Sequence, residues 1–110
     1  MLQIQIGAER AAHADDRLGR ATVGWRPGMS EDEAWEAGRG IWKFKADRAL
    51  SQDEAQIINT EGTVIAVARI TGISKHGDRY ALEGTLLRGD PRVGRPTPSP
   101  HLSRNPVTYI

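Results

Sequence analysis

The sequence predicts an α+β protein, mostly β: a small, curved, antiparallel sheet closing into a barrel, with two short helices between its strands. Three observations carry this. A β-branched run at 63–71 is followed, after a Lys75-His76-Gly77-Asp78 turn, by a second strand-like run at 79–87. Short apolar alternations sit near both ends of the chain, at 2–6 and 107–110. The clearest helix signal is brief: Ser30-x-x-Glu33 forms a capping box, and Gly38 ends the element a few residues later.

Taken in order, Leu2, Ile4 and Ile6 alternate with glutamines as on a half-buried strand. Residues 8–20 are alanine-rich and charged, with Leu18 as their one large apolar side chain, and read as a short surface helix or a mobile linker. A brief strand is expected at 21–25, and a Pro27-Gly28 turn precedes the capped helix. Glu31, Asp32 and Glu33 suit the positive end of its dipole, while Met29, Ala34 and Trp35 face the sheet. Residues 40–45 read as a strand, 47–55 as a second short helix and 56–60 as a further strand. The run at 63–71 has the composition of a central strand covered on both faces. Pro91, Pro96, Pro98 and Pro100 break regular structure, so 89–104 is a loop wrapping the surface.

With 110 residues, 38% hydrophobic and 26% charged, the chain is expected to form one domain, residues 1–110, around a modest core. It has no cysteine, which removes disulfides, thiolate catalysis and cysteine-ligated zinc. It has neither an apolar run of membrane-spanning length nor a signal-peptide pattern, and a soluble, cytoplasmic protein is expected. The net charge of +1 hides an asymmetry. Residues 1–61 hold eight Lys/Arg against eleven Asp/Glu, a net of −3; residues 62–110 hold seven against three, a net of +4. Six of those seven are arginines, Arg69, Arg79, Arg88, Arg92, Arg95 and Arg104, whose planar forks suit phosphates and base edges.

The chemistry points the same way. Gly38-Arg39-Gly40-Ile41-Trp42-Lys43-Phe44 brings a guanidinium, an ammonium and an indole together on a backbone that glycine lets bend. Stacking faces beside cations are what a nucleic-acid surface needs. The alternative is that Trp25, Trp35 and Trp42 simply pack in the core. His13, His76 and His101 lack metal-ligand spacing, and there is no nucleophile elbow or phosphate-cradling glycine loop, so no metal or cofactor is expected. A metal-independent ribonuclease needs only a base, an acid and a cation near the phosphate. Lys43, Arg69, Arg79, Tyr80 and Glu83 are the candidates, provided they converge. Arg69 has a structural reading too, marking the solvent face or pairing with Glu83 across the hairpin.

Four segments in succession carry a family resemblance: Arg39-Gly40-Ile41-Trp42-Lys43, the apolar run after Glu61-Gly62, Asp78-Arg79-Tyr80-Ala81-Leu82-Glu83-Gly84, and Arg104-Asn105-Pro106-Val107-Thr108-Tyr109. Their order resembles small PUA-like domains of the EVE/ASCH kind, particularly those in or beside bacterial restriction-type endonucleases. The likeness covers 38–110 in pieces and leaves 1–37 unmatched; Tyr80 and Leu82 replace larger aromatics, and the W-x-G-V-r-N signature of EVE domains is absent. The resemblance implies a PUA-like pseudo-barrel that binds DNA or RNA and reads a base, in some relatives a modified one, for a partner nuclease. It places Trp42 and Tyr80 as pocket aromatics, Arg39, Lys43 and Arg69 on phosphates or base edges, and Asn105 on the closing loop or a base. Arg79 joins this nucleic-acid-binding set, with no catalytic residue. A small ribonuclease of the ASCH type, or a protein-interaction domain, are the other two readings.

Overall fold

The computed structural model describes residues 1–101 and 105–110. Strand accounts for 39% of the chain and helix for 12%, so the α+β, mostly-β expectation holds. The elements in order are β1 (Leu2–Gln5), β2 (Arg10–Ala11), β3 (Thr22–Val23), α1 (Glu31–Gly38), α2 (Ala46–Leu50), β4 (Glu54–Ile58), β5 (Val64–His76), β6 (Arg79–Leu86) and β7 (Val107–Tyr109). Five strands form one sheet, ordered β6-β5-β4-β1-β7; β2 and β3 form a separate pair. Among the described residues no helix is long and apolar enough to cross a membrane.

Two features of the sheet depart from expectation. It is mixed, because β1 and β4 run parallel, with Leu2 opposite Ala55 and Ile4 opposite Ile57. A parallel pair needs a crossover, and the long connection carrying α1 and α2 supplies it. Nor does the sheet close into a barrel: among the described residues it ends at β6 and β7. The strand expected at 40–45 shrinks to a single bridge, in which Trp42 and Tyr80 exchange backbone hydrogen bonds of 2.9 Å. Together with the Leu82 N–H donating to the Arg39 carbonyl at 2.7 Å, this bridge covers part of the β6 edge.

Strand alternation sorts the side chains onto two faces. On one, Leu2, Ile4, Ala55, Ile57, Ala66, Ala68, Leu82 and Val107 form the main core under Ala34, Trp35 and Ala37 of α1 and Ala49 of α2. Alanines on the strands let the helix come close. A Cβ on Gly38 would lie 2.7 Å from two side-chain carbons of Ile57, so glycine there sets the spacing of α1 against β4. On the other face, Ile58, Val64 and Val67 meet Leu87 and Val93. A buried polar network holds the proline-rich loop there. The Thr97 hydroxyl donates to Gln3 Oε1 at 2.7 Å and accepts from Gln56 Nε2 at 3.1 Å, while Gln3 Nε2 donates to the Ser99 carbonyl at 3.0 Å. Residues 89–101 thus wrap the surface as expected; Arg104, which opens the closing motif, lies outside the described residues.

Where a signal is local, the elements match it. Ser30 caps α1, accepting from the Glu33 N–H while the Glu33 carboxylate accepts from the Ser30 N–H, each at 3.1 Å. Trp35 is buried, and Trp25 and Trp42 are half-buried against the same core. The second helix ends at Leu50 instead of running to residue 55, because β4 begins at Glu54 to pair with β5. β5 is covered on both faces only through Ala68; from Arg69 onward it reaches solvent as one arm of a long hairpin.

The largest departure is at 8–20, which is neither helix nor linker. Ala8 bridges Trp25, and Arg10–Ala11 pairs with Thr22–Val23. Gly24 makes this approach possible: its φ is +90°, and a Cβ would fall 2.4 Å from the Ala8 carbonyl oxygen. Gly24→Ala is expected to cost about 2–3 kcal/mol through left-handed strain and that backbone clash. Urea unfolding measures this, and a change under about 0.5 kcal/mol, the usual scatter for surface positions, would refute the tight approach.

Candidate functional site

The residues singled out in the sequence do not form one group. Arg39 caps the C-terminus of α1, and its guanidinium is occupied: Nε and Nη2 bond Glu36 at 3.0 and 3.2 Å, and Nη1 reaches the Leu82 carbonyl at 3.1 Å and Glu83 at 3.5 Å. It therefore clamps α1 to β6. Glu83 lies opposite Gly72 and is Arg39's partner, whereas Arg69 lies opposite Glu54 and Thr85, so the expected Arg69–Glu83 pair does not form. Tyr80 is half-buried and its ring stacks on Phe44, centroids 5.4 Å apart and planes at 23°. Lys43 is exposed and sits 3.6 Å from Asp78. Asn105 orders the start of β7, its side-chain oxygen accepting from the Val107 N–H at 3.0 Å.

Trp42 and Arg79 line two neighbouring hollows. One compartment of about 450 Å³ is lined by Arg10, Arg17, Arg20 and Arg79 with His13, His76, Asp15 and Asp16. A smaller one of about 140 Å³ is lined by Ile6, Ala8, Gly24 and Trp42. Arg10, Arg20, Val23 and Ile41 line both, so the two adjoin as compartments of a cleft between the β2–β3 pair and the Gly40–Trp42 segment. The larger compartment is basic; the smaller, inner one is mixed, with Ile6, Ile41 and Trp42 beside Arg10 and Arg20. Trp42 is set in its wall by its own N–H, which donates to the Gly38 carbonyl at 2.7 Å.

The floor is a nearly buried ion pair. Side chains of Arg20 and Asp16 keep only 9% and 10% of their exposure, and the guanidinium meets both carboxylate oxygens, at 2.8 and 3.0 Å. The remaining Arg20 donor, Nη1, bonds three carbonyls, of Glu36 at 3.3 Å, Ala37 at 3.2 Å and Gly40 at 2.5 Å. One side chain therefore ties the loop, the end of α1 and the Gly40–Trp42 segment together. Hydrogen bonds from Arg20 hold the Asp16 carboxyl at about 2, below its ordinary value.

By contrast, the guanidiniums of Arg10, Arg17 and Arg79 make no hydrogen bond or ion pair among the described residues. Most other arginines do. Arg26 pairs with Glu9 and Glu33, Arg88 with Asp32, and Arg92 with Glu54 and Asp90. Arg69 is unpaired too, but it lines a separate hollow with Ser51, Gln52, Asp53 and Glu54. His76 lies opposite Arg79 and Arg69 opposite Thr85, so roughly 20 Å of strand separates the two arginines at about 3.3 Å per residue. The set Lys43, Arg69, Arg79, Tyr80 and Glu83 is therefore not gathered at one point. Asn105 lies beside β7, at the sheet edge opposite β6.

Sequence reasoning missed Arg10, Arg17 and the Asp16–Arg20 pair. The signals were an acid and a base four residues apart, and Gly24 placed to bring two short strands together. No protein-family model matches the chain, and neither a curated protein nor a solved structure is similar to it.

Proposed function

We propose that the protein is a non-catalytic nucleic-acid-binding module whose binding site is the arginine-lined cleft. The observation that carries this reading is the convergence of Arg10, Arg17 and Arg79, all without partners, on one concavity, while neighbouring arginines are satisfied within the fold. Unpaired guanidiniums facing a hollow are suited to phosphate, which they contact with forked hydrogen bonds. The inner compartment, walled by Trp42 and Ile41, is the place for a base, in ordinary or modified form, and a partner nuclease would act on what is bound. Arg39 and Tyr80 serve the site as scaffold rather than contact. A PUA-like relationship belongs to the same proposal, supported by the motif order and by the Arg39–Trp42 segment extending the sheet past β6. So does a cytoplasmic location, which suits a chain without cysteine.

Fluorescence anisotropy with labelled single-stranded and duplex DNA and RNA oligonucleotides tests this. Three phosphate contacts give log Kobs against log salt a slope of about −2 for a single strand. Arg10→Ala and Arg79→Ala are each expected to flatten it by roughly 0.7 while leaving the fold intact, since both side chains are exposed. Arg69→Ala is expected to leave it unchanged. The proposal fails if no oligonucleotide binds, or if binding ignores salt.

A further inference from the structure

The cationic groups of the cleft are gathered round one hollow, not strung along a surface. A continuous strand presents singly charged phosphodiesters one after another, and a protein that follows it does so with cations along a groove. Here four arginines face two aspartates in a single compartment, leaving a surplus of two positive charges before either histidine is protonated. The groups that bear on this balance can be named. Asp16 is neutralised by Arg20, and Asp15 lies 3.2 Å from His13 at the exposed rim. His76 is tied to Ser74, Oγ to Nε2 at 2.9 Å. Arg10, Arg17 and Arg79 remain available. From the convergence of these three, we infer that the cleft takes the doubly charged phosphomonoester at the end of a nucleic-acid strand, with the terminal base entering the inner compartment.

This rests on the nucleic-acid reading above and narrows it to a substrate class. A terminal phosphate carries about −1.5 to −2 charges at pH 7 and three strong acceptor oxygens, whereas an internal diester carries one charge. Three forked cations around one hollow match the former. The helices are not built to probe the duplex interior. Three acidic residues occupy the first turn of α1, and α2 has five residues, with Arg48 lying 4.0 Å over the Tyr109 ring. Neither helix presents a basic face to a major groove. Strand ends, whose terminal nucleotide unstacks readily, fit a concave site better.

The test compares internally labelled single-stranded 12-mers bearing a 5′-phosphate, a 3′-phosphate or hydroxyls at both ends, by anisotropy at constant salt. At least one phosphorylated form is expected to bind ten-fold or more tightly than the hydroxyl form. Arg17→Ala/Arg79→Ala is expected to erase that preference, and Arg69→Ala to keep it. Thymidine monophosphate is expected to displace the phosphorylated strand where thymidine does not, while inorganic phosphate competes more weakly because it lacks the base. Equal affinity for all three strands overturns the inference and leaves the nucleic-acid proposal standing. Binding of thymidine monophosphate or inorganic phosphate without binding of any 12-mer overturns both, and makes the cleft a small-molecule phosphate site.

Discussion

Arg20→Ala is expected to destabilise the protein by about 3 kcal/mol, the lower end of the range for removing one partner of a buried pair. The loss has two parts. The Asp16 carboxylate keeps only a tenth of its exposure and would be stranded without its guanidinium. The carbonyls of Glu36, Ala37 and Gly40 would also lose their shared donor. In a domain of this size each kcal/mol lowers the melting temperature by about 4–8 °C, so a fall on the order of 15 °C follows. The pH dependence identifies the cause. The Asp16 carboxyl is lowered from 3.8 to about 2 in the folded protein, so its contribution is fully present above pH 3.8 and is lost as pH falls towards 2. Arg20→Ala removes that contribution, so its stability deficit relative to the wild type should narrow across this window. Urea unfolding at pH 7 and between pH 4 and 2 measures both effects. A deficit below 0.5 kcal/mol at pH 7 would mean that the pair is solvated and does not hold the cleft floor.

That pair also marks where sequence reading reached its limit. The capped helix was legible because every group involved lies within four residues: Ser30 and Glu33 satisfy each other regardless of the remaining fold. The β5–β6 hairpin was legible for the same reason, its turn and alternation being local. Residues 8–20 were not, because what orders them is distant. Arg20 finds carbonyls 16 to 20 residues away, and β2 and β3 are two residues each, too short to show a period. The parallel pairing of β1 with β4 was hidden likewise, since alternating apolar residues define a face and not a partner. Of the site, Trp42 and Arg79 were found by residue type and Arg10 and Arg17 were not, because an exposed arginine in a charged segment looks the same whether or not it faces a cavity. Arg39 and Tyr80 misled for the opposite reason: their chemistry suits a ligand, but neighbours in the fold already use it.

Trp42→Ala is expected to cost about 3 kcal/mol, because a half-buried indole packed against the main core leaves a cavity when truncated. Loss of binding in that variant would say little, since the cleft wall would be damaged with it. Two replacements separate packing from stacking. Trp42→Phe keeps an aromatic face but deletes the N–H that donates to the Gly38 carbonyl, a loss of about 1 kcal/mol, and it should bind oligonucleotides within two-fold of the wild type. Trp42→Leu keeps apolar bulk and removes the ring face. If a base lies against the indole, the absence of stacking worth about 1–3 kcal/mol weakens binding roughly five- to 150-fold in a protein that remains folded. Circular dichroism and urea unfolding establish the folded state, and anisotropy gives the affinity. Leu and Phe variants of equal affinity would assign Trp42 to the scaffold alone and leave the arginines as the whole of the site. A Leu variant that binds weakly with an unchanged salt slope would place the base in the inner compartment, because stacking would then have been lost while the phosphate contacts remained.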